Sequence, residues 1–117
     1  MPHVATQELQ NVDAEHMVQI RLLNALQSAV REGRPEDAIR EIRFQLTDYC
    51  RAHFLSEELL MRLYAYPDYD DHVNEHEQML DALEGLTEAR AIDALSALLL
   101  RHIGDRDAKL HGYLVAI

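Results

Sequence analysis

Apolar residues return along this chain every three or four positions, and no stretch alternates as a strand would. Four segments carry the pattern. From about Asp13 to Glu32, Ile20, Leu23, Leu26 and Val30 share one side of a helix. From about Glu36 to Tyr64 the stripe is Ile39, Ile42, Leu46, Tyr49, Leu60 and Tyr64. A third segment, about Asp68 to Glu84, carries Tyr69, Met79, Leu80 and Leu83, and a fourth, about Ile92 to Leu114, carries Leu95, Leu98, Leu99, Ile103 and Leu110. Turn signals separate them. "EGRPED" supplies Gly33 as a stop and Pro35 for the first turn of the next helix. "YAYPDYDD" places Pro67 after a helix and Asp68 as a cap, and "EGLTEARA" offers Gly85 as a terminator and Thr87 as a cap. Four helices joined by short links predict an all-α, antiparallel up-down-up-down bundle, one domain over residues 1–117 with a short N-terminal arm of about residues 1–11.

The same stripes carry residues that a core does not want. The first begins at His16. The second places His53 and Glu57 between Leu46 and Leu60, the third places His72 and His76 between Tyr69 and Met79, and the fourth reaches His102. Five of the seven histidines thus face the bundle interior, at least one from every helix, while His3 and His111 stand apart. Taken singly, each is unremarkable: a His four residues from a Glu suits a solvated helix face, and a terminal His suits a helix end. Together they would ruin a core unless something cationic bound them, because an unpaired buried polar group costs about 1–3 kcal/mol. Imidazoles and carboxylates converging from facing helices build a dinuclear metal site.

Composition narrows the setting. The formal net charge is −10, which repels nucleic-acid backbones and anionic membranes. The single cysteine, Cys50, rules out an internal disulfide and fits a reducing compartment. "MPHVATQELQ" lacks the features of a signal peptide, and the longest apolar stretch, "ALLL", is too short to span a bilayer, so a soluble cytoplasmic domain is expected. Cys50, Met61 and Met79 read as core, and Tyr64, Tyr66 and Tyr69 as packing around the turn between the second and third helices.

The segments "DAEH", "HFLSEELLM", "YPDYDDHVNEH" and "HIGDRD", in that order, resemble the hemerythrins, in particular the bacterial hemerythrin-like domains. The resemblance runs from about Val12 to Asp107. It implies a metal centre of two iron ions joined by an oxide or hydroxide. His72, His76 and His102 would ligate one iron, His16 and His53 the other, and Glu57 and Asp107 would bridge them. It further implies reversible dioxygen binding for storage, delivery or sensing, with dioxygen or another small gas as ligand and a signalling domain, fused or docked, as a partner. Helical geometry alone favours a different aspartate. At 100° per residue Asp107 lies about 140° around the helix from His102 and Asp105 only about 60°, so Asp107 serves either if the centre lies between the two directions or if a local distortion near Gly104 turns it inward.

Coordination arithmetic bears on the outcome. Five imidazoles, two bridging carboxylates and one bridging oxygen fill all but one position of two octahedra, and the open one falls on the iron with two histidines. Two carboxylates are few beside the four of oxygen-activating bundles, which favours binding oxygen over cleaving it. A redox enzyme acting on peroxide, nitric oxide or dioxygen is the alternative, and a zinc-held structural bundle comes third. Leu98 and Leu110 stand where the resembling family carries Trp and Tyr, and Gly104 and Leu98 predict extra room beside the centre.

Overall fold

Helix α1 spans Thr6–Arg31, α2 Glu36–Leu63, α3 Tyr69–Glu84 and α4 Ala89–His102; a single π turn, Ile103–Asp107, then carries α4 into α5, Ala108–Ala116, so the last three elements form one continuous rod. The computed structural model describes residues 6–84 and 89–117, so the expected stop at Gly85, the cap at Thr87 and the position of His3 lie outside the described residues. Among the described residues there is no strand, and no helix is long and apolar enough to cross a membrane. Each helix packs on the next, and α4 closes the ring against α1, giving a four-helix bundle. α1 starts at Thr6, earlier than the apolar periodicity indicated, so part of the expected arm is helical.

The helix ends explain why the bundle turns where it does. After α1 the Arg34 N–H bonds to the Ala29 carbonyl and the Gly33 N–H to that of Val30, with Gly33 left-handed at φ 66°. This is the two-bond C-terminal cap that satisfies otherwise orphaned carbonyls. Pro35 sits just outside α2 rather than in its first turn, and its carbonyl accepts from Ala38 and Ile39. The same cap recurs after α2, through Tyr66 N–H to Met61 and Ala65 N–H to Arg62, but here the left-handed residue is Ala65 at φ 51°. A Cβ in that conformation costs about 1–2 kcal/mol. Ala65→Gly is therefore expected to raise stability by about 0.5–1 kcal/mol, after the added freedom of the unfolded glycine, read as an upward shift in melting temperature. Asp68 precedes α3 as expected; its carbonyl accepts from the His72 N–H while its carboxylate pairs with Lys109 of α5.

Two apolar clusters flank a polar layer. The larger joins Leu23 and Leu26 of α1, Leu46, Cys50 and Phe54 of α2, Met79 and Leu83 of α3, and Ile92, Leu95 and Leu99 of α4. The smaller joins Met61, Tyr66, Leu110 and Leu114. The buried face of α2 therefore runs through Leu46, Cys50, Phe54 and Met61, whereas Tyr49 and Leu60, expected there, are only half buried. Cys50 is core, as expected, and burial pushes its thiol up to about 11.

Candidate metal centre

The polar layer between the two clusters contains every residue the sequence singled out. His53, Glu57, His72, His76, His102 and Asp107 are each at most 4% exposed, and His16 is half buried. Pairs four apart on α2 (His53, Glu57) and on α3 (His72, His76) present both side chains to one level of the bundle. Asp107 reaches that level because of the π turn. Hydrogen bonding to the fifth residue widens the turn, so a position five beyond His102 returns to its face. Asp105 is exposed, so of the two aspartates it is Asp107 that meets the histidines.

The two carboxylates divide their oxygens between two sets of histidines. Glu57 Oε2 lies 3.4 Å from His16 Nε2 and 3.2 Å from His53 Nε2, while its Oε1 lies 3.2 Å from His72 Nε2 and 2.9 Å from His76 Nε2. Asp107 does the same: Oδ2 is 2.9 Å from His16 Nε2, and Oδ1 is 3.0 Å from both His72 and His102 Nε2. Two donor groups follow, Glu57–His72–His76–His102–Asp107 and His16–His53–Glu57–Asp107, within each of which the ligand atoms lie within 4.8 Å of one another. They share both carboxylates, the arrangement two adjacent cations need.

With neutral imidazoles the hydrogen bonds do not balance. His53 Nδ1 lies 2.7 Å from Glu15, His76 Nδ1 2.9 Å from Glu58, and His102 Nδ1 3.0 Å from Glu75. A neutral imidazole donating there turns an Nε2 lone pair toward Glu57 or Asp107, and lone pair meets carboxylate. Accordingly Nε2 of His53, His76 and His102 and both Asp107 oxygens are buried without a hydrogen-bond partner. Two ligand atoms about 2.1 Å from one ion at right angles stand about 3.0 Å apart, which matches these separations. The donor set fits metal ions.

Protonation is the metal-free alternative, and the electrostatics show how it would work. Burial by itself would lower the His16 pKa, yet the Asp107 and Glu57 carboxylates outweigh it and raise it to about 10. His72 is raised to about 9 for the same reasons, and His53 is raised by Glu57 and Glu15 against its burial. Burial works to raise Glu57 and Asp107, but their histidine partners hold both well below the usual carboxylate range.

Several supporting residues were missed in the sequence. Glu15, Glu58 and Glu75 orient three imidazoles, and Arg106 in turn holds Glu75 at 2.7 Å. Spacing could have suggested them, since Glu15 and Glu58 each adjoin a site residue and Glu75 adjoins His76. Phe54 stacks on His76, with ring centres 4.1 Å apart and planes 9° from parallel. Gln19, fully buried one turn beyond His16, donates to Cys50 Sγ at 3.4 Å. The room expected at Gly104 and Leu98 lies elsewhere. Gly104 is exposed and a Cβ there would meet nothing, and Leu98 packs on the larger apolar cluster. Instead a cavity of about 320 Å³ opens between α1 and α5, reaching His16 and Asp107.

A family model described as Hemerythrin HHE cation binding domain matches residues 7–114. The chain is also 29% identical, over an alignment of 139 positions taking in all of it and 83% of the relative, to a Bacteriohemerythrin from Pseudomonas paraeruginosa (strain DSM 24068 / PA7). No solved structure matches significantly.

Proposed function

The chain belongs to the hemerythrin HHE cation-binding family, and from that premise we propose that it holds two iron ions and binds dioxygen reversibly, for storage, delivery or sensing rather than turnover. In this reading His72, His76 and His102 hold one iron, His16 and His53 the other, and Glu57 and Asp107 bridge them, all within a single domain. The observation that carries it is the split of each carboxylate between two histidine sets, with three of those histidines already clamped by a second carboxylate on Nδ1. The pair of irons would supply an open coordination position on the two-histidine side, where a small gas binds.

The chain's own residues shape the rest. Glu15, Glu58 and Glu75 fix each imidazole tautomer so that Nε2 faces the ions, and they make those nitrogens more basic. Phe54 holds the His76 ring in plane. His16, the one half-buried histidine of the five, faces the cavity, which gives the two-histidine side an approach from solvent. Glu75→Gln is expected to weaken metal affinity about 10–100-fold, because the amide cannot accept from His102 and Arg106 as the carboxylate does. A chelator competition titration reads it.

The deciding experiment is metal analysis with visible absorption on protein reduced without air and then exposed to oxygen. Two irons per chain and a new band that reverses on degassing support the proposal. A band that decays at once to an oxidised form moves the protein toward redox chemistry on peroxide or nitric oxide. Zinc in place of iron, with no band, sinks it.

A further inference from the structure

The geometry points to a larger ligand than a diatomic gas: the cavity between α1 and α5 binds a neutral, mostly apolar molecule of about ten non-hydrogen atoms or fewer, with a single-ring aromatic alcohol as the type. Its volume is about 320 Å³. A water molecule takes up about 30 Å³ of liquid, and an apolar cavity of roughly 150 Å³ already holds a benzene ring. A diatomic gas would leave most of this space empty, whereas pockets of 300 Å³ and more are the size that organic ligands fill.

The walls define the chemistry. Leu9 and Val12 of α1 face Ile103, Leu110 and Leu114, so the sides are aliphatic. His16 and Asp107 form the inner end, and Asp13 and His111, both exposed, stand at the mouth. Asp13 or His111 can therefore hydrogen-bond one hydroxyl at the mouth while the ring is buried. Two aspartates on the lining, in a chain of net charge −10, oppose a carboxylate ligand. His111 fell outside the metal pattern in the sequence, and this cavity is where it sits.

The inference concerns the cavity walls and stands apart from which metal occupies the neighbouring centre. The test is calorimetric titration of the purified protein with phenol and, separately, benzoate, with metal content counted on the same sample. Saturable phenol binding at one site per chain, at least tenfold tighter than benzoate, is expected. Val12→Trp, which fills the space, should weaken phenol binding at least tenfold with helicity and metal content kept. His111→Trp guards against misfolding of that variant: the position is exposed, and the chain otherwise lacks tryptophan, so its emission reports occupancy of the mouth. Emission that shifts and saturates with phenol agrees with the inference. No saturable phenol binding, or equal affinity in wild type and Val12→Trp, overturns it. Either result can be reached whether or not the iron count supports the oxygen-binding proposal.

Discussion

Glu57→Gln is expected to reduce the metal content from two ions per chain to one or none and to abolish any absorption change with oxygen. Glu57 is fully buried, and its two oxygens reach four of the five histidines. An amide of nearly the same shape keeps the packing, so loss of fold is not the expected cause. What goes is a negative charge and a second equivalent oxygen, leaving Asp107 as the one anion shared by both donor groups. Two adjacent dications cannot be neutralised by a single carboxylate at that depth. Losing even an outer partner of a ligand costs 10–100-fold in affinity, so removing a bridging group should exceed roughly a hundredfold. Metal analysis with circular dichroism on the same sample separates loss of ions from loss of helix. Two ions retained in the variant would remove Glu57 from the centre.

Stripping the metal should cost the bundle far more stability at pH 10 than at pH 6. Each ion held at a thousand times its dissociation constant adds about 4 kcal/mol. Two ions, at roughly 3–6 °C per kcal/mol in a chain of this size, predict a melting temperature lower by more than about 15 °C after chelation. The pH dependence follows from the histidines. In the metal-free protein the carboxylates that His16 and His72 face raise their pKa values, against their burial, from the ordinary 6.5 to about 10 and about 9. A group with a raised folded pKa contributes stability that is fully present below the unfolded value and is lost as pH climbs through the folded one. Metal-free protein therefore weakens progressively between about pH 6.5 and pH 10. Over the same window metal affinity increases, since ions no longer compete with those protons. Thermal melts with and without chelator at pH 6, 8 and 10 should show a widening gap; a constant gap would mean that these imidazoles do not carry protons in the metal-free state.

The fold was legible because the helical period persists through the polar layer. His53 and Glu57 continue the spacing of the aliphatic residues on α2, and His72 and His76 that of α3, so polarity interrupts the stripe without shifting it. Asp107 was not legible from an ideal helix, since the π turn appears only when backbone and site are seen together. Glu15, Glu58 and Glu75 were hidden for another reason. They lie at the edge of the bundle, partly exposed, and an edge glutamate bonding an imidazole looks like any charged surface residue in a sequence. The cavity depends on where α5 sits against α1, a long-range relation that local spacing does not encode.

The π turn also separates two quantities that a regular helix ties together. In an α-helix, adding one residue swings everything beyond it by about 100°. Here five residues occupy a single turn, so Leu110 and Leu114 still point into the core and Tyr113 still donates to the carbonyl of Tyr64 at 2.6 Å. The turn works as a slip joint, taking up length without passing on rotation. The spacing between the last histidine and the aspartate is then a loose variable, while the direction of the aspartate is the fixed one. A pattern search for such centres that insists on one spacing would discard chains whose side chains converge all the same.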